Sequence, residues 1–132
     1  MPETQAQRAK RWRDMADITL KTAKLLRDQS DARSCVSRAY YAIYQLATSV
    51  CVAHGDVPQF PQGWNNPSHD QLPDLILNNG DYTRAARRTL RRILREMRTL
   101  REDSDYRAGR TVDSQTIRTA LAMADTAFGL LE

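Results

Sequence analysis

The chain has 132 residues, 41% of them apolar and 27% charged, and a formal net charge of +4. That length suits one domain with its own core, no apolar run approaches the roughly 18 residues a membrane span needs, and the polar start "MPETQAQRAKRWRDM" lacks the apolar segment of a secretory signal. A cytoplasmic protein is therefore expected. The glycine-rich phosphate-cradling motifs and the serine-hydrolase elbow are missing, and neither the two histidines nor the two cysteines have zinc-ligand spacing. No metal and no cofactor are expected.

From about residue 3 to 27, Ala9, Trp12, Ala16, Thr19, Leu20, Ala23 and Leu26 recur at steps of three and four, which predicts a first amphipathic helix. The break "RDQSD" offers Ser30 or Asp31 as an N-cap, and a second helix then runs to about His54. Cys35 and Cys51 lie on it about 24 Å apart, too far for a bridge, so both are expected as free buried thiols. Helical projection puts Val36, Ala39, Tyr40, Ile43, Tyr44, Ala47, Val50 and Cys51 on a core face. The other face, with Ser34, Ser37, Arg38, Tyr41, Gln45, Thr48 and Ser49, is polar yet nearly uncharged, which suggests cover by another helix or another subunit. Arg38 and Tyr41, three residues apart, are placed to share a partner.

Residues 55–67 read as a loop, because the text from Gly55 to Pro73 holds four prolines and two glycines. Ser68 and Gln71 form a capping-box pattern that opens a short helix containing Leu72, Leu75, Ile76 and Leu77, with His69 in its first turn. A long helix follows from about Tyr82 to Asp103. After the break "SDYRAGRTVD", a last helix from about Asp113 carries Ile117, Ala120, Leu121, Ala124, Phe128 and Leu131 on one face. The fold expected is all-α, an up-and-down four-helix bundle with an additional short helix, forming one domain over residues 1–132.

The stretch "RAARRTLRRILREMRTLR", residues 84–101, holds eight arginines against one glutamate. At about 100° per residue, Arg84, Arg87, Arg88, Arg91, Arg95 and Arg98 share an arc of about 100°. Such a stripe is either a solvated face or a surface for RNA, DNA or an acidic protein, since like charges on one helix face repel by a few tenths of a kcal/mol per pair. Arg101 breaks the rule by falling within the apolar arc of Ala86, Leu90, Ile93, Leu94, Met97 and Leu100. It either finds partners in Asp105 and Tyr106 or snorkels outward from a fraying end.

"SCVSRAYYAIYQLATSV" after an alanine-rich helix, a loop ending in "NNPSHDQL", and "REDSDY" at the end of a long helix together resemble the HEPN domains. These are small prokaryotic helical bundles, and the likeness spans nearly the whole chain. It implies a homodimer and a role in RNA metabolism, defence or toxin–antitoxin systems. It also implies a partner protein of the minimal nucleotidyltransferase type, and in many members metal-independent ribonuclease activity. The nuclease signature is an arginine followed after four to six residues by a histidine. Arg101 matches the arginine, while Tyr106 stands where the shortest form puts the histidine, and a tyrosine with an ordinary pKa near 10 is a poor base at pH 7. Two outcomes stay open: His69 enters the cleft as acid or base while Arg101 stabilises phosphate charge, or the domain binds without cutting. The polar site so implied comprises Arg101, Asp105, Tyr106, His69, Arg38 and Tyr41. The rival reading is a dimeric interaction module that docks an acidic protein through its arginine stripe.

Overall fold

The computed structural model describes residues 2–56 and 66–131, so most of the expected loop lies outside the described residues. Five helices follow in chain order: α1 (Gln5–Asp28), α2 (Ala32–His54), α3 (Leu72–Leu77), α4 (Arg84–Tyr106) and α5 (Ser114–Leu130). Among the described residues there is no strand, and the architecture is the all-helical bundle with one short helix that the periodicity predicts. None of the helices is long and apolar enough to cross a membrane.

α2 is the central element, packing against α1, α3, α4 and α5. Its buried row includes Val36, Ala39, Tyr40, Ile43, Leu46, Ala47 and Val50, facing Leu90, Ile93, Leu94 and Met97 of α4 and Ile117, Ala120, Leu121 and Phe128 of α5 across the common core. α1 contributes only small side chains to the fully buried set, Ala16, Thr19 and Ala23, with Trp12, Leu20 and Leu26 closing over their flanks. Short side chains let the two long helices approach closely. Thr48 and Ser49 on the polar face of α2 are buried, and their hydroxyls donate to Tyr44 O (2.8 Å) and Leu46 O (2.5 Å) of the same helix. Ser34 and Arg38, at the other end of that face, are exposed.

The helix ends follow cap chemistry. Asp31, rather than Ser30, caps α2 by accepting from Ser34 N at 3.3 Å. Gly55 closes α2 in the left-handed region (φ 93°), donating to Cys51 O and Val52 O. Cys35 and Cys51 are free and buried.

Two boundaries differ from the sequence expectation. Ser68 and Gln71 do exchange the capping-box bonds, at 3.1 Å each, yet these organise a turn ahead of α3, which begins only at Leu72. His69 therefore lies in that turn and not in a helical first turn. α4 continues three residues beyond Asp103, so Ser104, Asp105 and Tyr106 are helical. The reason is a long-range cap. The Arg33 guanidinium of α2 reaches the carbonyls of Asp103 (3.0 Å), Ser104 (3.1 Å), Arg107 (3.3 Å), Ala108 (3.4 Å) and Arg110 (2.7 Å), satisfying acceptors that a helix end otherwise leaves to water.

The tight α1–α2 seam makes a contrast that denaturant unfolding can measure. Ala16→Leu, at a fully buried position, is expected to lose about 1–3 kcal/mol through overpacking. Ile18→Ala, at a position 64% exposed, is expected to stay within about 0.5 kcal/mol. Equal effects would contradict the packing described.

Candidate functional site

Arg101 is a buried charge, 8% exposed at the C-terminal end of α4. Its guanidinium lies over three rings, with centroids at 5.6 Å (Tyr40), 5.8 Å (Tyr41) and 5.6 Å (Tyr106). Each such contact is worth about 0.5–2 kcal/mol, more when desolvated. The nearest carboxylate, Asp105 one turn on, is 3.7 Å away, within ion-pair range but too far for a hydrogen bond. Among the described residues the guanidinium makes no hydrogen bond, and its Nε is buried without an acceptor. The ring faces hold the charge in place while its donors remain unmet.

His69 joins the same cluster from the turn before α3. Its ring lies 4.8 Å from Tyr44, 5.5 Å from Tyr40 and 6.2 Å from Tyr41, centroid to centroid. Burial first, and then the Arg101 and Arg98 guanidiniums, push the imidazole below its ordinary pKa of 6.5, so it is neutral at pH 7. Its Nδ1 is 2.5 Å from the Tyr40 hydroxyl. Burial pushes the Tyr40 phenol up, so that hydroxyl keeps its proton, and Nδ1 is the one acceptor it has among the described residues. With the Tyr40 hydroxyl as donor, Nδ1 is the acceptor and the proton of His69 sits on Nε2. Tyr44 is anchored separately: its hydroxyl donates to Pro67 O (2.5 Å) and accepts from Asn66 Nδ2 (2.6 Å), tying the end of the loop to α2.

Asp105 is held from α2 by Ser37, whose hydroxyl donates to Oδ2 at 3.1 Å. Tyr106 packs one ring face on Arg101 yet is 75% exposed. Of the residues singled out in the sequence, Arg101, Asp105, Tyr106, Tyr41 and His69 thus come together. Arg38 is exposed and makes no hydrogen bond, ion pair or ring contact among the described residues. Tyr40 and Tyr44 are core, as their projection predicts, but both rings also lie against His69, and the Tyr40 hydroxyl meets its Nδ1. The i,i+4 spacing of the two gave the shared face and not the polar partners, which lie more than twenty residues away. Arg33, Ser37 and Asn66 carried no sequence signal for their roles. Among the described residues no three His, Cys, Asp or Glu side chains gather as metal ligands.

The arginine stripe of α4 is divided by its neighbours. Arg87 donates to Leu77 O (2.9 Å), Arg91 pairs with Asp74 of α3 (3.4 Å), and Arg98 holds Asp70 (2.5 Å) and Glu102 (3.3 Å). The acids missing from the stripe in sequence are thus supplied from the turn and helix alongside. Arg84, Arg88 and Arg95 are exposed and have no ion pair among the described residues.

A family model described as HEPN domain matches residues 9–132 of the chain. Neither a curated protein nor a solved structure matches it.

The neutral imidazole fixes the sign of one pH effect. Because the folded state holds the His69 pKa below 6.5, the unfolded chain takes up the proton first. Stability is full above the unfolded value and is lost as pH falls toward the folded one. Urea unfolding between about pH 7 and about pH 5.5 should show this decline, and His69→Gln should reduce its slope. An unchanged slope would contradict the assignment. Arg33→Ala is expected to lose about 1–2 kcal/mol by removing the cap on α4, whereas an unaltered urea midpoint would mean that the carbonyl clasp adds nothing.

Proposed function

The chain belongs to the HEPN domain family, and on that premise we propose that it binds single-stranded RNA at the Arg101 cluster and holds the strand without cutting it. The observation that carries this reading is the Arg101 guanidinium, buried and charged, with no hydrogen bond from the described residues. A planar donor set in that state suits a bidentate oxyanion, and a phosphodiester is the oxyanion RNA supplies. The exposed Tyr106 ring beside it offers a stacking face for an adjacent unpaired base.

The argument against cleavage is the His69 tautomer. Attack by a ribose 2′-hydroxyl needs a group that takes its proton. When Nδ1 accepts from the Tyr40 hydroxyl, the other ring nitrogen carries a proton and serves as a donor to phosphate oxygen, not as a base. Tyr106, at the position of the signature histidine, is no substitute. The wider setting is supported by family membership alone: a cytoplasmic toxin–antitoxin or defence system, a homodimer, and a nucleotidyltransferase-type partner protein.

The test is a binding and cleavage assay on a labelled single-stranded RNA. Wild type is expected to bind and to leave the RNA intact. Arg101→Lys, which keeps the charge but loses the planar fork, is expected to weaken binding about 10-fold or more. Tyr106→Ala is expected to weaken it by a stacking contribution of about 1–3 kcal/mol, read beside the urea midpoint because the same ring lies on Arg101. Cleavage by wild type that His69→Ala abolishes would replace this reading with the ribonuclease one. No binding at low salt, with the far-UV spectrum intact, would overturn it.

A further inference from the structure

Eight arginines lie between residues 84 and 101, but three of them have no side-chain partner among the described residues. Arg87, Arg91 and Arg98 are engaged by Leu77 O, Asp74 and Asp70, and Arg92 pairs with Glu96 one turn along α4 at 3.3 Å. Arg84, Arg88 and Arg95 are exposed and their guanidiniums make no hydrogen bond or ion pair among the described residues. At about 100° and 1.5 Å per residue, the three share an arc of about 40° and stand about 6 and about 10 Å apart along the axis. They form a line. Arg88 and Arg95 also border a groove shared with Leu77, Arg91, Arg92 and Glu96.

The line leads to the Arg101 cluster. From Arg95, the steps to Arg98 and then Arg101 each advance three residues and turn about 60° around the same helix. Because α4 is unbroken from Arg84 to Tyr106, stripe and cluster are fixed relative to each other. We propose that Arg84, Arg88 and Arg95 form a backbone track that carries a single RNA strand away from the Arg101 cluster along α4. This rests on the RNA reading above and extends it.

The chemistry of the face favours a strand over an acidic protein. Protein interfaces are anchored by buried aromatic and aliphatic groups, and α4 exposes no large apolar side chain except Tyr106 at its far end; the others, Met15, Ile18 and Leu25, are on α1. The line holds charge with no ring for stacking, so it recognises phosphate and not base identity. Its contribution is then electrostatic and independent of sequence.

The experiment compares wild type, Arg101→Lys and the triple variant Arg84→Gln/Arg88→Gln/Arg95→Gln on single-stranded RNAs of about 4 and about 14 nucleotides, from about 50 to about 200 mM salt. The three positions are exposed, so the fold is expected to survive, which far-UV spectra check. For the longer RNA, the slope of log K against log salt should fall by about 2 in the triple variant, from about 0.7 per lost phosphate contact on a single strand. The short RNA should bind the triple variant as it binds wild type, whereas Arg101→Lys should weaken both lengths. If wild type binds both RNAs and the triple variant keeps the wild-type slope, the track is wrong and the cluster stands. If wild type binds neither RNA, both fall. If polyglutamate binds wild type as tightly as the longer RNA and is lost in the triple variant, the surface is for acidic protein and the track is overturned.

Discussion

Removing a guanidinium from water costs several kcal/mol unless something replaces the solvent, and Arg101 is buried largely against aromatic rings. The Tyr40, Tyr41 and Tyr106 rings supply a polarisable box around the charge, and Asp105 offers a longer-range opposite charge. Tyr40 and Tyr41 belong to α2 and Tyr106 to α4, so the box exists only when these two helices dock in one register. The packing of the bundle and the chemistry of its site are therefore one constraint. What the box does not provide is hydrogen-bond acceptors, and that deficit gives the site its preference for an oxyanion.

The same docking explains how the end of α4 is held. Arg33, in the first turn of α2, caps the carbonyls at the C-terminal turn, and Ser37, one turn further on, binds Asp105. Two polar side chains spaced by one turn of one helix thus fix the last turn of another. Without them the helix would have its last carbonyls facing water, and Asp105 and Tyr106 would lack a defined position. On the opposite flank, the turn before α3 brings His69 over Tyr40 and Tyr44, and Tyr44 anchors Pro67 and Asn66. The tyrosines of α2 therefore serve three elements at once.

Charge is sorted by the same geometry. α4 carries its arginines almost without acids of its own, and Asp70 and Asp74 neutralise part of one flank. The repulsion expected of six like charges in a row is relieved where the short helix lies and persists where it does not. A basic helix becomes, in the folded chain, a buffered flank beside an open line.

Much of the architecture was legible in the sequence because a helix is a local structure. The 3.6-residue recurrence of apolar residues from Ala9 to Leu26 and from Ile117 to Leu131 determined which faces turn inward. Gly55 and the proline-rich text after it determined where α2 stops. Arg101 was visible as a charge on an apolar face for the same reason. Tertiary structure alone decided what that charge meets. α4 runs three residues past the end its sequence suggests because its cap, Arg33, lies about 70 residues upstream. The neutral state and tautomer of His69 depend on burial and on a hydroxyl 29 residues away, and the pairing of the arginine stripe depends on where α3 lies. None of these contacts leaves a periodic trace, because each joins groups that only chain folding makes neighbours.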